Sequence, residues 1–168
     1  MIAYRDARAA DVPAIDALFR DSFVATFGHL YAAADLATFV GGFTHDAWRA
    51  ELAQDDVAIR LAEDDGVLVG FAKTSAPALP LVLDGPALEL RQLYLADSAK
   101  GTGVAAALME WTIERARLSG AGAVILSVYV DNHRARRFYE RYGFVDAGRY
   151  AFMVGAHEDE DRMMRLLL

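Results

Sequence analysis

The sequence predicts an α/β fold, one mixed sheet flanked by helices. Three patterns carry that prediction. Two apolar, β-branched runs flank Asp64-Asp65-Gly66, which has the turn chemistry of a hairpin. Residues 87–130 read strand, helix, strand, the succession of a right-handed crossover between parallel neighbours. Residues 11–23 carry an apolar stripe at helical spacing, so helices and strands share the chain. A length of 168 residues fits one domain, residues 1–168, large enough to bury a core without staples.

The elements follow in order. Residues 2–5 form a short first strand. Asp11 is placed to cap the first helix, because its carboxylate can accept from the free N–H groups of the first turn. Pro13 sits where its missing donor does no harm. Ile15, Leu18, Phe19, Ser22 and Phe23 then keep the helical period. An aromatic loop follows with Phe27, His29 and Tyr31. Two shorter helices, residues 34–40 and 46–54, are separated by Gly41-Gly42. Strands 57–63 and 67–74 make the hairpin. Pro77, Pro80, Gly85 and Pro86 mark residues 75–86 as a loop between strands.

The fourth strand, residues 87–95, has a slip in its alternation. Leu88 and Leu90 share one parity, Leu93 and Leu95 the other. One extra residue near Arg91 and Gln92 would bring all four leucines to one face, which is the signature of a β-bulge; a strand buried on both faces fits the same pattern. A loop over 96–101 leads into a helix over 102–119. Residues 121–130 form a continuous apolar run, as expected of a central parallel strand. A helix over 132–142 stops at Gly143, a good residue for the left-handed turn after a helix. Residues 144–150 and 162–168 are two closing strands, joined through the acidic run Glu158-Asp159-Glu160-Asp161.

Composition narrows the function. There is no cysteine, which excludes a disulfide framework, a thiol nucleophile and any cysteine-ligated metal. No histidine pair has metal-ligand spacing, and no metal is expected. A net charge of −7 lacks the footprint of a nucleic-acid binder and suits a cationic partner. The first residues carry Arg5, Asp6 and Arg8 and no apolar leader, and no apolar run approaches the roughly 20 residues of a membrane helix. A cytoplasmic protein without membrane or nucleic-acid partners is expected.

The sharpest motif is Lys100-Gly101-Thr102-Gly103-Val104-Ala105, between a strand and a helix. Glycines let a phosphate approach the backbone, and free N–H groups at a helix N-terminus favour anions. A tight strand-to-helix turn without a ligand fits the same residues. The motif is not a Walker loop. Gly101, Gly103 and Ala106 match a dinucleotide fingerprint, but Asp131 lies 28 residues past Gly103 and only 37 residues follow it, too few for the rest of a doubly wound sheet.

Residues 100–105 resemble the pyrophosphate loop Q/R-x-x-G-x-G/A of the GNAT superfamily of acyl-CoA-dependent N-acyltransferases. The run LRQLYLADSAKGTGVAAALM resembles that family's strand–loop–helix core, and VDNHRARRFYERYGF resembles its second motif. Together they span residues 90–145. Lys100 stands for the usual Arg or Gln, Ala105 for the commoner Gly, and Asp97 for a frequent proline. The resemblance implies a mostly antiparallel seven-stranded sheet with a bulged fourth strand that splays from a parallel fifth. It also implies acetyl-CoA as cosubstrate.

Residue by residue, the resemblance implies that Lys100, Gly101, Thr102, Gly103, Val104 and Ala105 hold the pyrophosphate. Leu93, Tyr94 and Leu95 would line the pantetheine arm, with the Leu93 N–H aimed at the thioester carbonyl. Asn132 would bond the pantetheine and Arg141 would reach a phosphate. Tyr139 would protonate the departing thiolate, although Ala135, Phe138, Tyr139 and Tyr142 equally make a core stripe at helical spacing. Glu89, just before the bulge, is the best carboxylate for a general base; a paired strand residue, with water as the base, is the other reading. The segment from Ser22 through the third helix is similar to the acceptor wall of spermidine/spermine-type acetyltransferases. Phe27, His29, Tyr31 and Glu89 are therefore the expected contacts of a small cationic amine. A protein N-terminus or lysine, an amino acid, and a CoA-binding module without turnover are the alternatives, and a homodimer is compatible with all of them.

Overall fold

The computed structural model describes residues 1–168. Seven strands and five α-helices follow one another as β1 (Ile2–Asp6), α1 (Val12–Phe27), α2 (Ala33–Gly41), α3 (His45–Leu52), β2 (Ala58–Asp64), β3 (Val67–Ser75), β4 (Ala87–Leu95), α4 (Val104–Leu118), β5 (Ala123–Tyr129), α5 (His133–Arg141), β6 (Val145–Val154) and β7 (His157–Leu167). One sheet holds all seven strands in the order β1-β2-β3-β4-β5-β7-β6. Every pairing is antiparallel except β4 with β5.

Two apolar cores lie on opposite faces of the sheet. On one face α4 and α5 cover Leu88, Leu90, Val124 and Leu126. On the other, Ile15, Phe19 and Phe23 of α1 and Trp48 of α3 cover Ile59, Leu61 and Phe71. No helix is long and apolar enough to cross a membrane.

The hairpin forms as its sequence requires. Asp65 and Gly66 both take positive φ, 48° and 83°, the geometry of a tight primed turn. The bulge is also where the leucines placed it. Lys73 pairs with Gln92 and Thr74 with Leu90, which leaves Arg91 unpaired. Leu88, Leu90, Leu93 and Leu95 accordingly all pack into the core under α4 and α5.

Two expectations need correcting. Asp11 precedes α1, but its carboxylate does not cap it. It lies in a 3-10 turn and turns back to accept from the Arg8 N–H at 2.7 Å and from Arg5 at 2.8 Å. The acidic run is likewise no linker, because Glu158-Asp159-Glu160-Asp161 lies inside β7. A two-residue turn at Gly155 and Ala156 closes the hairpin earlier, and strand alternation then turns Asp159 and Asp161 inward.

Candidate active site

The site begins where the sheet comes apart. β4 and β5 pair only over Ala87–Glu89 and Ala123–Ile125. Beyond those three positions the strands diverge, and a cavity of about 920 Å³ fills the gap. Its walls include Phe23 from one core and Tyr139 from the other, so the opening passes through the sheet.

At the α4 mouth, Gly101 and Gly103 have φ of 80° and 92°, and a Cβ on either would meet open space. The N–H groups of Gly101, Gly103, Val104, Ala105 and Ala106 have no backbone acceptor. Five free amides around the N-terminus of a helix form an anion cradle. The Thr102 hydroxyl donates to the Ala99 carbonyl at 2.7 Å, and the Val104 side chain is buried in the core, so these two offer backbone only. The Lys100 ammonium lies 2.5 Å from Asp97, whose carboxyl it holds below the ordinary value. Arg134, Arg137 and Arg141 add positive charge to the same mouth. The residues present therefore suit a pyrophosphate-bearing cofactor. Sequence reasoning missed Gly70 of β3, where a Cβ would come within 3.1 Å of Val104. Its bare backbone lets the start of α4 sit down on the sheet.

Along the β4 rim, Leu93 and Leu95 face the α4 core, while Tyr94 points to the other face between Phe19 and Phe71. The Ser22 hydroxyl of α1 donates to the Leu95 carbonyl at 3.2 Å. Across the gap, Asn132 caps α5 by accepting from the Ala135 N–H at 3.2 Å. Asn132, Ala135 and Tyr139 all line the cavity from one helix face, as their spacing requires. The Tyr139 ring packs against Phe138 and Phe144, and burial pushes its hydroxyl above the ordinary range. Tyr139 is thus a core residue and a cavity residue together.

At the opposite mouth, Phe27 and Tyr31 line the cavity. His29 does not; the intervening 3-10 turn Gly28–Leu30 carries it to the outside, where it is exposed. Glu89 lines the cavity, but its carboxylate is already engaged. One oxygen accepts from the N–H groups of Ala78 and Leu79 at 2.6 and 3.0 Å, and the other lies 3.4 Å from Arg91. That geometry fits a side chain that fixes the loop before β4 better than a free proton acceptor.

Three further carboxylates line the cavity: Glu51, which pairs with Lys73 at 2.5 Å, and Asp159 and Asp161, which are 5% and 6% exposed. Asp159 accepts from the Tyr31 hydroxyl and lies 3.2 Å from His157. A cue was present in the sequence. Inside a strand, the alternation Glu-Asp-Glu-Asp puts both aspartates on one face.

A model of the acetyltransferase (GNAT) family matches residues 13–144, and the chain belongs to that family. It is 38% identical over 130 residues to an uncharacterized N-acetyltransferase of Mycobacterium tuberculosis, covering 77% of this chain and 80% of the relative. The fold superimposes on the PaiA N-acetyltransferase of Thermoplasma acidophilum in complex with coenzyme A, with a TM-score of 0.80 at 17% identity over 100% of this chain and 99% of the other. It also superimposes on Arabidopsis thaliana NAA60 bound to a bisubstrate analogue, with a TM-score of 0.77 at 17% identity over 100% and 99%. The protein is an acyl-CoA-dependent N-acetyltransferase with acetyl-CoA as cosubstrate.

Proposed function

We propose that the chain, as one domain over residues 1–168, transfers acetyl directly from acetyl-CoA to the primary amine of a small cationic acceptor, polyamines among them. The observation that carries this reading is the two-ended cavity. Its basic mouth holds the amide cradle, and its far mouth is aromatic and acidic. Direct transfer is favoured because no cysteine is available to carry the acyl group.

A small acceptor is favoured by a clasp over the far mouth. The Asp35 carboxylate of α2 accepts from the Ala156 N–H at 2.8 Å, and Gly155 lies so close to Asp35 that a Cβ would come within 2.6 Å. Phe39 packs against Phe152, and Tyr31 bonds Asp159. These contacts join α2 to the β6–β7 hairpin and narrow the entry that a polypeptide would need.

In this reading the amides of residues 100–106 hold the pyrophosphate and Lys100 neutralises it. Arg141 reaches a terminal phosphate. Asn132 and the rim of Leu93, Tyr94 and Leu95 orient the pantetheine arm. Bound acetyl-CoA supplies an activated acyl thioester. The Leu93 N–H polarises the acyl carbonyl, and Tyr139 gives its proton to the leaving sulfur. Phe27 and Tyr31 wall the acceptor.

Release of free CoA, measured against spermidine, butylamine, glycinamide, lysine and an N-terminal peptide, tests the reading. Turnover is expected on the small amines. Turnover confined to the peptide would replace the acceptor class, and cofactor binding with no turnover on any of them would leave a CoA-binding module.

A further inference from the structure

We propose that Asp161 takes the proton from the acceptor's ammonium group, so that the amine attacks as the free base. This rests on the amine-acceptor reading above. Asp161 lines the cavity from β7, in register with Tyr129 of β5 and Tyr150 of β6. Four cations close to it in the strand pairing or in the cavity wall are committed to other carboxylates. His157 pairs with Asp159, Arg149 with Glu160, Arg162 with Asp146, and Lys73 with Glu51.

The groups that face Asp161 carry no positive charge. They are Asp159 on its own strand, Ser127 and Tyr129 on β5, Tyr150 on β6, Tyr94 on β4, and Tyr31 beside α2. A buried carboxylate without a cation is costly, and an ammonium ligand would relieve that cost. Burial pushes Asp161 up to about 6; Asp159 adds to the shift and Ser127 opposes it. A group that titrates there is well matched to accept and release a proton near neutrality. Its position suits the task as well. Asp161, Tyr94 and Tyr139 all line the same cavity, so a base and an acid on two of its walls can serve one acceptor and one thioester.

In the step, one N–H bond of the ammonium breaks and its electron pair stays on nitrogen. The proton goes to a carboxylate oxygen of Asp161, which returns it to solvent above its own pKa. Glu89, held on both oxygens, has no comparable freedom.

The test is Asp161→Asn, which keeps size and shape. With the best amine of the panel, kcat/KM at pH 7 should fall by roughly 10²–10⁴. The wild-type rise in rate through about pH 6 should disappear. Activity should return towards pH 10, where the amine is unprotonated. Calorimetry should find acetyl-CoA affinity unchanged, which separates loss of the base from loss of the fold. Wild-type rates in the variant, or a retained acid limb, would overturn the proposal. A second measurement needs no turnover. The Asp161 carboxyl carbon, assigned by its loss in the variant, should titrate near 6 by NMR, and an ordinary carboxylate midpoint would also overturn it. Absence of wild-type turnover on every small amine counts instead against the acceptor class, and the NMR titration still decides Asp161.

Discussion

Tyr139 serves two demands with one side chain. Its ring fills the core beneath α5, while the cavity reaches the same residue. Tyr139→Phe keeps the ring and deletes the hydroxyl, so stability should change by less than about 1 kcal/mol. Turnover should fall by roughly 10²–10⁴ with acetyl-CoA affinity nearly constant. Unchanged turnover would return Tyr139 to packing alone. Gly103→Asp makes the opposite split. A carboxylate would enter the anion cradle, and a side chain would be forced onto φ of 92°. Acetyl-CoA binding should be lost in calorimetry; undiminished affinity in a folded variant would refute the cradle. Gly101, Gly103, Asn132 and Tyr139 were legible as residues of one cavity because they occupy fixed offsets at helix ends and along one helix face. Asp161 was not. A run of four acids reads as solvated chain until the strand that contains it is known, and Glu89 stood open between general base and paired strand residue because the loop amides that hold it lie 10 and 11 residues away.

At the scale of elements, local chemistry was a sound guide wherever one pattern decided the outcome. The Asp65-Gly66 turn, the leucine parity of β4 and the stop at Gly143, with φ of 93°, all have local causes. The boundary of β7 has a tertiary cause. It depends on pairing with β5 along seven residues and on the clasp to α2, and neither is written in the run itself. That clasp gives a prediction. Gly155→Ala places a methyl against the Asp35 backbone at φ of 59°. The strain should cost roughly 1–3 kcal/mol of stability, or be relieved by moving α2 away. Acceptor KM should rise while acetyl-CoA affinity holds. A variant with wild-type acceptor KM would show that the clasp does not shape the far mouth.

Across the whole molecule, buried and paired carboxylates oppose one another in their response to pH. Arg5 and Arg162 hold Asp11 and Asp146 below the ordinary value of 3.8, so the stability they contribute is present above that pH and lost as pH falls through their folded pKa. Asp161 works the other way. The folded state binds its proton more tightly than the unfolded chain, so its contribution is complete below about 4 and is lost as pH rises through about 6. The loss is on the order of 3 kcal/mol at neutral pH. Melting temperature should therefore decline by a few degrees between pH 5 and pH 7.5, and Asp161→Asn should flatten that decline. An equal decline in the variant would place its cause elsewhere.

The narrow seam between β4 and β5 bears on motion as well as on shape. Strands β1 to β4 form one slab and β5, β7 and β6 another, and only three register pairs stitch them along their shared edge. An extended thioester arm laid in the open part of that seam, as the proposed cofactor site requires, would act as a guest strand and suture the enzyme with its own cosubstrate. Amide hydrogen exchange should report this directly. The amides of residues 104–106, and those N–H groups of residues 91–95 and 126–129 that face the gap rather than β3 or β7, should exchange fast in the free protein and slow sharply with acetyl-CoA, while the hairpin of β2 and β3 keeps its rate. At a hundredfold excess over Kd the ligand should add roughly 2.7 kcal/mol to global stability. The slabs would then loosen at each product release and lock again at each reloading, so that catalytic turnover and the breathing of the sheet share one period.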